Sequence, residues 1–177
     1  MTINPPLEPN YQKWPYRKDT ENGRTNIGAI DLTLQPDRIS EIHELNSTPK
    51  LKEAIYNLNK EKTAVMTLGC LIEESKTDKG AWYSYVDFCF RPHIDTSEVN
   101  MESLDDQFLK YIENKYSIDF VNALKPHVIW ESFHASLYDN KPSRVYSVFL
   151  LADSAESTEQ LYLLLVDWFH HEFLHLA

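Results

Sequence analysis

Residues 63–90 have the sequence TAVMTLGCLIEESKTDKGAWYSYVDFCF. Apolar positions alternate on both sides of the short polar connector 75–80, a pattern that predicts two β-strands. One face of the first strand carries Ala64, Met66, Leu68, Cys70 and Ile72. The faces of the second strand carry Trp82, Val86, Phe88 and Phe90 on one side, and Tyr83, Tyr85, Asp87 and Cys89 on the other. Because the connector is short, the two strands should form an antiparallel hairpin.

Helix signals flank this hairpin. Thr48 is the predicted N-cap of a helix that begins at Pro49 and carries apolar residues at helical spacing as far as Leu58. The spacing of apolar residues over 100–116 predicts an amphipathic helix whose solvent-facing side is acidic. A long helix over 157–175 should begin with a capping box formed by Ser157 and Gln160.

A second hairpin is predicted farther along the chain, where 127–138 should pair with 144–151 across a polar turn. The alternation of Ile30, Leu32 and Leu34 with polar residues predicts one more short strand in front. Helices and hairpins then alternate in order. This order predicts an α+β fold, a two-layer sandwich whose mainly antiparallel sheet of 4–5 strands has helices packed on one face.

The first 26 residues differ from the rest in composition. They contain four prolines and the three aromatic residues Tyr11, Trp14 and Tyr16. Proline disfavours helix, whereas exposed aromatic rings are costly, so we expect an extended N-terminal arm over 1–26 that lies on the body of the protein. Residues 27–177 should form a single α+β domain, since the whole chain has only 177 residues.

Charge and hydropathy exclude several classes of protein. Asp and Glu outnumber Lys and Arg by 27 to 17, giving a net charge of −10, which argues against a nucleic-acid partner. The sequence contains no apolar run long enough for a membrane span, and residues 1–9 do not have the pattern of a secretory signal. We therefore expect a cytoplasmic protein. We expect Cys70 and Cys89 to be reduced and buried, and the alternative is a disulfide between them if their strands are paired.

The segment HEFLH at 171–175 matches the zinc-peptidase pattern H-E-x-x-H. On a helix, His171 and His175 would share one face and could bind Zn²⁺, with Glu172 as the general base. Asp167, one turn earlier, would orient His171. A third ligand would have to come from upstream, and the candidates are His93, His127 and His134. A zinc-dependent hydrolase is thus the alternative function, whereas histidines in a last helical turn also suit the helix dipole without any metal.

No nucleophile elbow and no phosphate-binding glycine motif occurs in the sequence, so we expect a protein that is not an enzyme and has no cofactor. The clearest remaining signal is charge. Acidic residues gather on and before the helix over 100–116, namely Glu98, Glu102, Asp105, Asp106 and Glu113. The expected anchors near them are aromatic residues, among them Tyr83, Tyr85 and Trp130.

An acidic surface attracts a basic macromolecule, and aromatic anchors hold it once it has docked. We therefore expect a small acidic binding protein that masks a basic protein partner. Bacterial immunity proteins, which neutralise toxins such as nucleases, are similar in size, in charge and in lacking a catalytic signature. The alternative for the acids is that they only keep the domain in solution.

Overall fold

The computed structural model describes residues 1–4, 12–18, 28–60, 63–75, 77–138 and 141–176. The strands of this part of the chain are β1 (Thr2–Ile3), β2 (Lys13–Trp14), β3 (Val65–Glu74), β4 (Trp82–Phe90), β5 (Val128–Leu137) and β6 (Lys141–Ala152). The α-helices are α1 (Pro49–Lys60), α2 (Leu104–Lys115), α3 (Ile118–Leu124) and α4 (Ala155–Glu172). Short 3₁₀ helices cover Pro36–Glu41, His43–Ser47, Lys125–His127 and Leu174–Leu176.

All six strands of the described residues belong to one open sheet, in which five strands follow the order β1-β5-β6-β4-β3 and β2 also pairs with β5. Both predicted hairpins are present, and β4 pairs with β6 in antiparallel fashion to join them. The predicted α+β fold is confirmed. The sheet is mixed rather than purely antiparallel, because β1 and β2 both pair in parallel with the outer edge of β5. Strands of two residues are too short to show an alternating pattern, so periodicity does not reveal them.

The helices cover one face of the sheet, as the sequence predicted. Phe88 in β4 is fully buried at the centre of this layer, and its ring lies 4.6 Å from that of Phe169 in α4 and 5.9 Å from that of Trp130 in β5 (centroid distances). From α2, Phe108 and Ile112 join the same core. Within the ranges given above, no helix is both long and apolar enough to cross a membrane.

A β-bulge in β3 places residues that were predicted to share one face on opposite faces of the sheet. Thr67 pairs with Phe88 and Gly69 with Asp87, so Leu68 is an extra residue between two consecutive pairs. Met66 and Leu68 therefore pack on the side of the sheet away from the helices, whereas Cys70 and Ile72 pack against the helix-side core. The expectation that all of them share one face was wrong, because the bulge shifts the alternation by one residue.

The ends of α1 are held by residues distant in sequence. Thr48, the predicted N-cap, is buried, and within the described chain its hydroxyl has no hydrogen-bond partner. Instead, Oε1 of Glu159 in α4 accepts hydrogen bonds from the backbone N–H groups of Lys50 (2.7 Å) and Leu51 (3.1 Å). At the other end, Arg91 donates to the carbonyl oxygens of Leu58 and Asn59. A carboxylate at a helix N-terminus also interacts favourably with the helix dipole.

Glu159→Ala should lower the free energy of unfolding by about 1.5 kcal/mol, because two buried N–H groups lose a charged acceptor. Urea denaturation followed by tryptophan fluorescence measures this change. Glu53→Ala is the matched control, since Glu53 is exposed on α1 itself and its loss should cost less than about 0.5 kcal/mol. Equal effects of the two substitutions would contradict the role given to Glu159.

Two further local predictions were wrong. The N-cap of α4 is Ser154, whose side chain accepts a hydrogen bond from Ser157 N, so the helix begins earlier than predicted. Residues 32–34 form a turn and not a strand, because the carboxylate of Asp31 accepts hydrogen bonds from the N–H groups of Thr33 and Leu34. In both places a short polar side chain bonds nearby backbone and overrides the apolar pattern.

Candidate functional site

The part of the chain that the structure describes leaves much of one face of the sheet uncovered, the face away from the helices, and we call it the open face. In its central region it presents Tyr83, Tyr85, Asp87, Glu131, Ser147 and Phe149. Strand alternation places them there, since their neighbours Val86, Phe88, Trp130 and Val148 are all buried in the helix-side core.

A row of small and polar residues crosses this face. Gly69, Asp87, Ser147 and Glu131 occupy paired positions on the adjacent strands β3, β4, β6 and β5. Adjacent strands lie about 4.8 Å apart, so the Cα atoms of Asp87 and Glu131 are separated by about 10 Å, with Ser147 between them. Two carboxylates thus stand on either side of one hydroxyl.

Apolar residues border this polar row on both sides. Along one side, Tyr85, Phe149 and Ile129 occupy the next paired positions of β4, β6 and β5. The rings of Tyr85 and Phe149 are in contact, with their centroids 5.7 Å apart. Along the other side, Val145 pairs with Phe133. The carboxylates are therefore set in an apolar surround, which strengthens their electrostatic interactions.

The arm covers one end of the open face. Trp14 is only 3% exposed, and its indole N–H donates a hydrogen bond to the carbonyl of Leu68 (3.1 Å). Backbone hydrogen bonds from Ser136 to Gln12 and from Tyr138 to Trp14 fasten residues 12–14 to β5. Of the predicted arm over 1–26, residues 5–11, which include Tyr11, and residues 19–26 lie outside the described part of the chain.

Between the arm and the strands there is a cavity of about 210 Å³. Its aromatic walls are Trp14, Tyr16, Tyr85, Phe133 and Phe149, and its polar groups come from Asn4, Asp87, Glu131 and Ser147. The carboxylate of Asp87 and the hydroxyl of Tyr16 converge on Gly69, each 3.5 Å from the position that a Cβ atom there would take. Among the described residues, no lysine, arginine or histidine lines this cavity.

Within the described part of the chain, the two carboxylates of the cavity have no cationic partner. Burial raises the pKa of Asp87 to about 7, although a hydrogen bond from the Ser147 hydroxyl acts in the opposite direction. The pKa of Tyr85 is also raised, first by burial and then by the charge of Asp87. Glu131 accepts a hydrogen bond from the side-chain amide of Asn4. Both carboxylates thus have neutral hydrogen-bond donors as partners.

Beyond the cavity the open face is exposed and apolar. Ile129 is 57% exposed, Leu151 is 54% exposed and Tyr83 is 39% exposed. Tyr83 pairs with Leu151 across β4 and β6, and its ring lies 6.1 Å from that of Phe149. We call these four residues (Tyr83, Ile129, Phe149 and Leu151) the apolar patch. A continuous patch of this kind is typical of an interaction surface.

The three aromatic residues predicted as anchors do not lie on the same face of the sheet. Tyr83 and Tyr85 lie on the open face, but Trp130 is 5% exposed and packs in the helix-side core. Its ring lies 5.8 Å from that of Phe108 and 6.0 Å from that of Trp168. The assignment of Trp130 to a binding surface was wrong, because its position in β5 points toward the helices.

The predicted acidic residues lie on and before α2, in the opposite layer from the open face. Glu102 forms a two-point ion pair with Arg144, and Asp105 binds the amino group of Met1 at 2.7 Å. The other three, Glu98, Asp106 and Glu113, are exposed. The acids of α2 and the tyrosines of β4 therefore do not form one surface, since the sheet lies between them.

The HEFLH segment does not lie on one helix. Helix α4 ends at Glu172, and His175 belongs to the 3₁₀ helix that follows, so the predicted i to i+4 geometry of His171 and His175 was wrong. Asp167 accepts hydrogen bonds from Tyr111 and Lys115 instead of orienting His171. The described residues contain no group of three histidine, cysteine, aspartate or glutamate side chains placed to hold a metal ion.

Both cysteines are free thiols, as expected in preference to a disulfide. Cys70 packs against the helix-side core, whereas Cys89 belongs to the apolar cluster of the open face. Burial raises the pKa of each thiol to about 12, which disfavours the reactive thiolate.

Sequence reasoning missed Asp87, Glu131, Ser147 and Trp14 as parts of a site. Asp87 had one signal, since it is the only charged residue in β4, a strand in which most residues are aromatic. Glu131 and Ser147 had none, because the pairing of β6 with β4, which are not consecutive along the chain, brings them beside Asp87. Comparison of the chain with protein-family models, curated proteins and solved structures found no match.

Proposed function

We propose that this chain is a non-catalytic cytoplasmic binding protein that masks a basic protein partner with its open face. Its role would be that of an immunity or inhibitor protein that neutralises a bacterial toxin such as a nuclease. The observation that carries the proposal is the apolar patch next to two carboxylates, whose cavity has no cationic residue in the described part of the chain.

The two parts of the open face serve different steps of binding. Burial of Ile129, Leu151 and Tyr83 against a partner would remove apolar area from water and provide the packed centre of an interface. The carboxylates would select for positive charge, and the net charge of −10 would speed the approach of a basic protein. The exposed acids of α2 contribute to this long-range attraction from the other layer.

The open face is a better docking surface than α2. Two of the five acids predicted for binding, Glu102 and Asp105, already have cationic partners within the chain. A partner that recruited them would first have to break these contacts. On the open face, a partner would gain apolar burial and charge pairing together, without displacing an ion pair among the described residues.

Leu151→Glu should abolish capture of a basic partner by the immobilised protein from an extract of the source organism. The captured protein is identified by mass spectrometry, purified and titrated by calorimetry, where the substitution should weaken binding at least 100-fold. A charge placed in the apolar core of an interface is left without a partner there. The affinity for wild type should also fall as salt is raised.

Ile118→Glu is the matched control, since Ile118 on α3 is 51% exposed and lies off the open face. It should leave the affinity within about twofold of wild type, because surface substitutions outside an interface have small effects. Capture of an acidic protein, or equal losses for Leu151→Glu and Ile118→Glu, would contradict the proposed function.

A further inference from the structure

We propose that the open-face cavity binds the guanidinium group of an arginine side chain, presented by the basic partner. This inference rests on the proposed function and deepens it, since it names the group that the partner must supply. It is carried by the cavity, by the two carboxylates in the row across the sheet and by the aromatic walls.

The carboxylates have capacity for a cationic donor. A carboxylate offers about four acceptor positions, and the protein groups described above use few of them: Ser147 donates to Asp87, and Asn4 donates to Glu131. Arginine carries five N–H donors in a planar fork. Because Asp87 and Glu131 stand on either side of Ser147, one guanidinium lying over the serine can donate toward both acids.

The walls suit a flat, delocalised cation. The rings of Trp14, Tyr16 and Tyr85 line the cavity, and the face of an aromatic ring attracts a cation. A guanidinium also stacks on such rings through its own plane, whereas an ammonium is a compact, strongly hydrated point charge. The methylene groups of arginine would meet apolar neighbours such as Leu68 and Phe149. Arginine therefore satisfies both kinds of wall better than lysine does.

The cavity is also large enough. Its volume of about 210 Å³ corresponds to about seven water molecules at about 30 Å³ each. An arginine side chain has seven heavy atoms beyond Cα, so it fits within this volume when the partner presents it.

The raised pKa of Asp87 also supports an arginine as the occupant of the cavity. This pKa of about 7 results mainly from burial. The titratable groups around Asp87 come from the open face and from across the sheet, namely Tyr16, Tyr83, Tyr85, Glu131, Cys70 and Tyr162. None of these carries positive charge. A guanidinium beside Asp87 would favour its charged form and lower this pKa. Arginine binding should therefore strengthen as the pH rises from about 6 to 8 and should release a proton in that range.

Titration of the folded protein with Nα-acetyl-L-arginine amide, followed by amide NMR shifts at pH 8, tests the inference. Saturable shifts should appear at Tyr85, Asp87 and Ser147. The lysine analogue should bind at least threefold more weakly, and the neutral citrulline analogue at least tenfold more weakly. Both Asp87→Asn and Glu131→Gln should weaken arginine binding at least tenfold, whereas Glu53→Gln, which removes an exposed acid of α1, should leave it unchanged.

The opposite results overturn the inference: equal binding of the arginine and citrulline analogues, tighter binding of lysine, or shifts on α2 in place of the open face. The outcome is separate from that of the capture experiment. If a basic partner is captured and arginine amide does not bind, the cavity assignment fails and the proposed function stands. If arginine amide binds and no basic partner is captured, the proposed function fails while the guanidinium site stands.

Discussion

Asp87→Asn should raise the free energy of unfolding at pH 8 by about 2 kcal/mol and change it little at pH 4. The folded protein holds the pKa of Asp87 at about 7, whereas an aspartate in an unfolded chain titrates near 3.9. Between these values the folded state binds more protons, so the wild type loses stability as the pH rises. A three-unit shift corresponds to about 4 kcal/mol, and we expect about half of it because the cavity opens to solvent.

Urea denaturation of wild type and variant at pH 4, 6 and 8 measures this difference. All other titrating groups are common to both proteins, so the change in stability between them isolates Asp87. Asp106→Asn is the matched control, since Asp106 is exposed and its removal should give no such pH dependence. Parallel stability curves for wild type and Asp87→Asn would contradict a buried, unneutralised carboxylate.

Phe88→Ala should lower the free energy of unfolding by about 4 kcal/mol, the largest effect of a single truncation that we predict. Phe88 is 0% exposed, and its ring stacks on Tyr146 at 5.3 Å and contacts Phe169 at 4.6 Å. Removal of the ring would leave a cavity lined by other aromatic rings, which cannot collapse without moving β4 or α4. A small domain can lose most of its stability in this way.

Phe149→Ala provides the comparison, because Phe149 is half-buried on the neighbouring strand but on the open face. Its truncation should cost about 1 kcal/mol, since its ring already borders solvent. Thermal unfolding should rank the two variants in the same way, with a lower midpoint temperature for Phe88→Ala than for Phe149→Ala. A smaller loss for Phe88→Ala than for Phe149→Ala would contradict the assignment of the main core to the helix side.

Asp87 and Phe88 are neighbours in β4 and lie on opposite faces of the sheet. The helix side is closed by packed rings and supplies the stability of the fold. The open face carries two partly buried carboxylates and an exposed apolar patch, both of which cost stability in the isolated protein and would gain a counterpart if the proposed partner binds. This division is the physical basis for placing the function on the open face.

The alternation of β4 was sufficient to place its side chains. Tyr83, Tyr85 and Asp87 lie on the face opposite Val86 and Phe88, as the sequence predicted, because a strand has a fixed period of two. The same pattern was not sufficient in β3, where the bulge after Thr67 shifts the alternation. Asn59 in α1 binds the backbone N–H of Thr67 there, a contact that no local pattern reveals.

Periodicity and turn residues close together in the chain were enough to predict the fold class, the two hairpins, the helix layer and the faces of β4. Other features are set by tertiary packing: Glu159 caps α1, Arg144 and the Met1 amino group neutralise acids near α2, and Trp14 closes one end of a cavity. The tertiary structure also decided that Asp87 and Glu131 meet on either side of Ser147. These contacts join residues far apart in sequence, and the packing of elements against one another sets their geometry.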